Sequence, residues 1–297
     1  MSFKRNLSLG ASGADVIAVK ERLLELGCYT ATITSLKRDT FGKDTRRAVL
    51  AFQAAKGLMQ DGIVGRNTYS ALFPEEARTA SSSSGESGIP DWIPGSAAER
   101  IWESLAGETE IRKSIVLDAL AFAVHPDLPG EYPRSLYIRG GNLYNADLKP
   151  NVISIARIAR GAARQPEYYD GGRREMMENA VRANPAITGA DCSGGIVGLL
   201  RHAKAVSSGF DCSADGFVAS GNGTHIQHPV LRPGDFLHRS GHIGLYAGGG
   251  YAVEWMGGAY GCQLTELEKR RGWNYVTKRL SSFGGWKDFL RPAYYEE

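Results

Sequence analysis

The stretch that decides the fold is ADCSGGIVGLLRHAK, residues 190–204. Asp191 and Ser193 are residue types that cap helix N-termini, and the run IVGLL that follows spaces apolar side chains for a buried helix. The first turn of a helix carries unpaired N–H groups and the positive end of the helix dipole, which lowers the pKa of a thiol from about 8.5. Cys192, at the start of the predicted helix, therefore lies where a thiolate is stabilised.

A second segment, GHIGLYAGGGYAVEW at residues 241–255, predicts a β-hairpin. Apolar residues alternate with others before a run of three glycines and a second arm. Counted with a period of two, His242 and Glu254 lie near paired positions, so that the carboxylate can orient the imidazole. The sequence therefore predicts Cys192, His242 and Glu254 as nucleophile, base and orienting acid. The alternative for Glu254 is an ordinary solvated glutamate on a strand.

The DCSG-plus-helix, the GHIGLY strand and the polar residue twelve positions after the histidine resemble the NlpC family of papain-like cell-wall peptidases. The resemblance implies an α+β papain-like domain with an antiparallel sheet. It also implies cleavage of peptidoglycan stem peptides, typically between D-γ-glutamate and the following diamino acid. At the third position the family more often has His, Asn or Gln; the carboxylate of Glu254 should favour the imidazolium and hence a Cys–His ion pair.

The same resemblance implies a set of substrate-binding residues. Asp191 and Ser193 would contact amine or amide groups of the substrate, and simple helix capping is the alternative for both. In YYDGG, Tyr169 is the nearest match to a family tyrosine that precedes a double glycine beside the nucleophile. Gly241 and Trp255 complete the predicted set, with core packing as the alternative for Trp255.

Other cysteines and histidines are weaker candidates. Cys212 also lies in an Asp-Cys-Ser triplet, but the glycine-rich SADGFVASGNG after it has no sustained helical pattern. His225 and His228 fall in a predicted loop without a partner set for a metal, so no metal and no cofactor are expected. His202 is about a hundred degrees round the predicted helix and some 15 Å along it from the nucleophile, which excludes it as the base. His238 is expected to pack on a strand or to border the site.

The N-terminal segment predicts three short helices over residues 15–26, 44–55 and 67–72, the first two ending at glycines. Residues 7–73 resemble, nearly end to end, the small three-helix peptidoglycan-binding domain of type 1 that many wall hydrolases carry. The resemblance places a glycan-binding groove near the FGKDT and DGIVGRNT turns. A helical docking module for another ligand is the alternative.

The Ser/Gly run ASSSSGESG at residues 80–88 marks a seam, because such a composition cannot bury enough apolar surface to fold. We therefore expect a three-helix domain over 1–74, a linker over 75–95 and a cysteine peptidase domain over 96–297. Helical patterns at 97–105 and 110–124 predict a helical lead-in to the last domain at about 96–150. A further helix is predicted over 151–161.

Composition limits the function further. With 297 residues, 42% of them hydrophobic, the chain is long enough for two globular domains, yet no segment approaches the roughly twenty apolar residues that span a bilayer. MSFKRNLSLG lacks the apolar core of a signal peptide, and four widely spaced cysteines make no disulfide framework. Synthesis in the cytoplasm without a signal peptide is therefore expected. A net charge of +3 is too small to imply nucleic acid, and no membrane partner is expected.

Together these features predict a peptidoglycan endopeptidase anchored to the bacterial wall, similar to a phage or prophage endolysin that leaves the cytoplasm through a holin-type lesion. The first alternative is an N-acetylmuramoyl-L-alanine amidase with the same Cys–His chemistry. A non-catalytic wall-binding protein is a second, against which intact Cys192 and His242 argue. Acyl transfer on lipids by permuted relatives is a third, but it expects the histidine before the cysteine.

Overall fold

The computed structural model describes residues 6–29, 38–56, 58, 60–73, 88–219 and 221–295. Residues 80–87 of the predicted Ser/Gly linker lie outside them. The chain divides into two compact units, Met1–Gly95 and Ser96–Glu297.

The first unit contains three helices among its described residues: α1 (Ala14–Glu25), α2 (Lys43–Ala55) and α3 (Arg66–Leu72). Val16, Val19 and Leu23 of α1 are fully buried, as their three- and four-residue spacing predicts. Gly27 has a φ of 71° and ends α1, with Cys28 N–H bonded to the carbonyl of Leu23.

Buried Gln53 on α2 organises the DGIVG turn of this unit. Its amide nitrogen donates to Oδ1 of Asp61 at 2.7 Å and to the carbonyl of Ile63 at 2.9 Å. Its amide oxygen accepts the N–H of Gly62 at 2.9 Å. The conformation of this turn is therefore fixed by one side chain from the neighbouring helix.

The second unit is a mixed helix and sheet structure. Its helices are α4 (Gly95–Leu105), α5 (Glu110–Phe122), α6 (Ile155–Arg164), α7 (Arg173–Ala183), α8 (Cys192–His202) and α9 (Ala214–Phe217). Its strands are β1 (Ser135–Tyr137), β2 (Thr188–Ala190), β3 (Gly223–His225), β4 (Phe236–Arg239), β5 (His242–Gly248), β6 (Tyr251–Met256), β7 (Gly261–Glu266), β8 (Arg271–Asn274), β9 (Arg279–Ser282) and β10 (Asp288–Pro292). A six-stranded antiparallel sheet in the order β3-β10-β4-β5-β6-β7 forms its centre, while β1 pairs with β2 in parallel and β8 with β9 antiparallel.

Helix α8 is buried along most of its length and packs against β5 and β6. Three glycines make this close approach possible. A Cβ on Gly194 would lie 1.9 Å from the carbonyl oxygen of Gly141, and a Cβ on Gly195 would lie 2.2 Å from the ring of Trp255. A Cβ on Gly198 would lie 2.7 Å from Leu143. The sequence DCSGGIVGLL is thus fitted to a helix with neighbours on several sides.

The predicted helical lead-in at about 96–150 is only partly helical. Helices α4 and α5 occupy its first half, but strand β1 and the loop after it form part of the packing around α8. Leu143 N–H donates to the carbonyl of Gly194 at 3.0 Å, and Asp191 N–H donates to that of Gly141 at 2.9 Å. The short strand has only three residues, which is too few to produce a recognisable alternating pattern.

Candidate functional site

Asp191 caps the N-terminus of α8 and so fixes the position of Cys192. Its Oδ1 accepts the N–H of Gly194 at 2.8 Å and the hydroxyl of Ser193 at 3.2 Å. Its Oδ2 accepts the N–H of Gly140 at 2.7 Å. Both oxygens of Asp191 therefore accept hydrogen bonds within the protein, and the hydroxyl of Ser193 donates to the same carboxylate.

Cys192 is buried, and its thiol faces the end of strand β5. Its Sγ lies 3.9 Å from the carbonyl oxygen of Gly241, to which the thiol donates a weak hydrogen bond. The thiol also lies near enough to the side chain of His242, the first residue of β5, to raise the pKa of its imidazole. The structure therefore brings together three of the residues that the sequence singles out.

Glu254 lies on β6 and supports His242 from the side away from the thiol. The register pairs Leu245 with Val253, so His242 and Glu254, three and one residues away, share the opposite face of the sheet. Nε2–H of His242 donates to Oε2 of Glu254 at 2.6 Å, which leaves Nδ1 as the ring nitrogen for Cys192.

Glu254 is fully buried, and two residues that the sequence does not point to stabilise it: Arg270 balances its charge, and Thr265 donates a further hydrogen bond. Arg270 donates from Nε to Oε1 at 2.9 Å and from Nη2 to Oε2 at 2.5 Å. The hydroxyl of Thr265 donates to Oε1 at 2.6 Å. Burial alone would raise the pKa of this carboxyl, but its hydrogen bonds to Arg270 and His242 hold that pKa at about 2. Glu254 is thus ionised and is not a solvated strand residue.

The imidazole of His242 favours its charged form. Burial alone would lower its pKa, but the hydrogen bonds to Cys192 and Glu254, together with their negative charges, raise it to about 9. An imidazolium beside a thiol at a helix N-terminus is the arrangement that stabilises a thiolate.

Trp286 is a further residue that sequence reasoning missed. Its ring stacks on His242, with centroids 5.5 Å apart and planes at 11°, and the guanidinium carbon of Arg270 lies 4.5 Å from the Trp286 ring centroid. An indole face attracts cations, so this contact also favours the imidazolium. The segment GGWKD at residues 284–288 has no pattern that connects it with β5.

Two of the predicted substrate-binding residues are placed away from the Cys192 thiol by the structure. Trp255 is fully buried, contacts Gly195 and donates from Nε1 to the hydroxyl of Ser135 at 2.9 Å. It fills the core, because both faces of β6 are covered, and it cannot reach a substrate. Tyr169 is buried in the cluster formed by α6, α7 and neighbouring residues, with its hydroxyl against Gly161.

Tyr137 is a tyrosine that lies near Cys192. It pairs with Ala190, and burial together with the charges of Cys192 and Asp191 raises the pKa of its phenol. It precedes a double glycine in YIRGG, as Tyr169 does in YYDGG. A long segment separates it from DCSG, which made the motif hard to recognise.

Three other candidates lie outside the group around Cys192 and His242: His238, Cys212 and His202. His238 is buried between carboxylates, with Nε2 2.9 Å from Oδ1 of Asp215 and Nδ1 3.0 Å from Oδ2 of Asp288. His202 stacks on Tyr144 and bonds to Asp118.

Burial, and then the charge of Asp211, raise the pKa of the Cys212 thiol. His225 ends β3, and His228 begins a short 3-10 turn. Within the described ranges no three His, Cys, Asp or Glu residues are grouped to hold a metal ion. No helix in the described part of the chain is long and apolar enough to cross a membrane.

The comparisons with known proteins concern mainly the first unit. A family model described as "Putative peptidoglycan binding domain" matches residues 12–72. Over 73 residues the chain is 34% identical to protein disulfide isomerase pTAC5, chloroplastic, of Arabidopsis thaliana, covering 25% of this chain and 19% of that protein. The chain therefore spans about a fifth of the length of this curated relative. The family match supports a cell-wall-associated function with peptidoglycan as a partner.

Two solved structures are also similar to the chain. The SleB N-terminal domain shares 34% identity over 25% of this chain and 99% of its own, with a TM-score of 0.23. A Burkholderia AP3 phage endolysin shares 22% identity over 56% of this chain and 52% of its own, with a TM-score of 0.22.

Proposed function

We propose that the chain is a peptidoglycan hydrolase that cleaves stem peptides with a Cys192, His242 and Glu254 thiolate mechanism. The observation that carries the proposal is the contact of His242 with the Cys192 thiol on one side and with buried, ionised Glu254 on the other. The peptidoglycan-binding match at residues 12–72 supports the polymer as substrate. The scissile bond is the one that follows D-γ-glutamate, and the catalytic unit is a papain-like domain of the NlpC type over residues 96–297.

In this mechanism the thiolate of Cys192 attacks the carbonyl carbon and forms a tetrahedral oxyanion. The backbone N–H of Cys192 lies in the first turn of α8, where amides have no intrahelical partner, and it stabilises that oxyanion. The imidazolium of His242 then gives its proton to the leaving amine. Water, deprotonated by the neutral imidazole, hydrolyses the thioester and restores the thiol. No metal or cofactor takes part.

Residues 1–74 act as the wall anchor, joined by the Ser/Gly segment to the catalytic unit. Tethering raises the effective concentration of the catalytic unit on the polymer without adding contacts at the scissile bond. Tyr137, Ser193 and Gly241 border the substrate near the thiol. Asp191 acts by capping the helix, and Arg270, Thr265 and Trp286 hold the acid and the imidazole in place.

The test is mass spectrometry of purified peptidoglycan digested with the wild type and with Cys192→Ala. Fragments that end in D-glutamate and appear only with the wild type would support both the nucleophile and the bond. Unclipped stem peptides with a free L-alanine amine would replace the endopeptidase by the amidase. No products, with binding to walls intact, would replace it by a non-catalytic wall-binding protein.

A further inference from the structure

An arginine cleft lies beside the candidate site in the second unit. It has a volume of about 430 Å³, and its lining includes Arg139, Arg157, Arg160, Arg164, Gly140 and Tyr169. Its volume is in the range of small-molecule sites. Gly140 donates its N–H to Oδ2 of Asp191 at 2.7 Å, so the wall of the cleft is bonded to the residue that precedes Cys192.

Within the described ranges of the chain, the four guanidiniums carry positive charge that no carboxylate neutralises. No carboxylate lines the cleft, and among the residues that the structure describes none of the four makes an ion pair. Arg139 instead lies over the ring of Tyr168, 4.6 Å from its centroid. On the neighbouring helix α7, by contrast, Arg174 and Arg182 both pair with Glu178.

The spacing of the arginines makes the cluster more unusual. Arg157, Arg160 and Arg164 stand at three- and four-residue intervals on α6, which places them on one face. Like charges at this spacing repel and destabilise a helix. An anion that enters the cleft would relieve that repulsion, and the planar guanidinium fork matches the two oxygens of a carboxylate.

We propose that the arginine cleft binds the free carboxylates of the stem peptide, which makes it a specificity site. This inference rests on the proposed function. A glutamate linked through its γ-carboxyl keeps its α-carboxylate, so the substrate presents negative charge close to the scissile bond. Since the cleft adjoins the helix N-terminus that carries Cys192, a peptide whose carbonyl lies at the thiol has carboxylates within reach of the arginines.

The test uses the full chain with Arg160→Gln and Arg164→Gln, two exposed positions. The matched control is Lys204→Gln with Arg279→Gln, which removes the same charge from exposed residues outside the cleft. The substrates are two soluble muropeptides that differ only in a free or an amidated glutamate α-carboxyl.

The wild type should cleave the free acid about tenfold or more faster in kcat/KM, mainly through KM, because charge-assisted hydrogen bonds would be lost with the amide. The cleft variant should lose that preference, and the control should keep it. Equal losses on both substrates, or no loss, would overturn the inference.

Binding separates this inference from the proposed function. Calorimetric titration of both muropeptides into full-chain Cys192→Ala, with and without the two cleft substitutions, measures Kd without turnover. If the wild type cleaves neither muropeptide, the proposed function fails, yet arginine-dependent preference for the free acid would still support the cleft. Equal Kd values for both muropeptides would overturn it. Arginine-dependent binding of poly(glycerol phosphate) in place of the free acid would assign the cleft to phosphate and overturn the carboxylate assignment.

Discussion

Two Asp-Cys-Ser triplets, residues 191–193 and 211–213, stand in different surroundings. Each lies at the start of a capped helix, but at a different position: Asp191 caps the helix that begins at Cys192 and accepts from Gly194 N–H. Ser213 caps the helix that begins at Ala214 and accepts from Gly216 N–H at 3.0 Å, so Cys212 lies before its helix. The first helix has eleven residues and the second only four. Cys192 faces an imidazole whose pKa is raised to about 9, whereas Cys212 has a pKa raised by burial. A triplet and a helix cap therefore do not by themselves set the surroundings of a thiol, which here differ in helix length and in the neighbouring imidazole.

The largest effect is expected when the thiol of the first triplet, Cys192, is removed. Cys192→Ala should lower hydrolysis of soluble muropeptides by at least about 10³-fold, because removal of a covalent nucleophile leaves only binding and oxyanion stabilisation. Product release measured by chromatography checks the loss, and sedimentation with purified walls checks that binding is retained. Residual activity within tenfold of the wild type would remove Cys192 from the mechanism.

The second-largest effect concerns Glu254, the carboxylate that accepts a hydrogen bond from His242. Glu254→Gln should lower kcat by about 10²-fold and stability by roughly 3 kcal/mol, because it leaves the buried charge of Arg270 without its partner. Kinetics below both melting temperatures and urea unfolding measure the two changes separately. The exposed glutamate variant Glu268→Gln is the control, and a similar loss there would contradict a specific role for Glu254.

The third effect is a loss of stability at alkaline pH. The folded pKa of His242 is raised, so its contribution is complete below about pH 6.5 and is lost as pH rises through about 9. That contribution amounts to roughly 3 kcal/mol at most from the size of the shift. Urea unfolding from pH 6 to 10 should show a decline in the wild type that His242→Gln lacks. A parallel decline in both proteins would assign it to other groups.

A smaller effect is expected from the ring that stacks on His242. Trp286→Leu should lower kcat/KM by about three- to tenfold, since an aromatic contact of this kind is worth roughly 0.5–1.5 kcal/mol. Trp286→Phe should restore most of the activity because it keeps a stacking surface. The half-exposed Trp102 provides Trp102→Leu as a control, which should leave kcat/KM unchanged.

The smallest effect is expected when the thiol of the second triplet, Cys212, is removed. Cys212→Ala should change kcat/KM by less than about twofold, because a thiol with a raised pKa is a poor nucleophile. Iodoacetamide at neutral pH, followed by peptide mapping, should modify Cys192 before Cys212. If Cys212 were modified first, Cys212 and not Cys192 would be the more reactive thiol.

The local parts of the candidate site were predictable from sequence. Helix α8 follows from a cap residue and an apolar run, and the approach of His242 to Glu254 follows from a hairpin with alternating residues. These features depend on neighbours within one hairpin or one helix turn. The glycine at position 27 predicted the end of α1 for the same reason.

Contacts between distant segments were not predictable. Arg270 and Trp286 reach the site from the chain after β7, and no spacing rule connects them with His242. Thr265 lies closer, on the strand β7 that pairs with β6. The sequence predicts Tyr169 as the tyrosine next to Cys192, because that residue is nearer to DCSG along the chain. Parallel pairing of β1 with β2 brings in Tyr137 instead, and pairing between strands so far apart leaves no local pattern.

The glycines of α8 also make the formation of the candidate site depend on tertiary packing. Each glycine within a helix costs about 1 kcal/mol relative to alanine, so Gly194, Gly195 and Gly198 make this segment a poor helix by itself. The packing of Trp255 and Leu143 against these glycines therefore contributes to the stability of the helix. We therefore expect the helix dipole at Cys192 and the imidazolium beside it to be absent from a chain whose strands β5 and β6 have not yet folded.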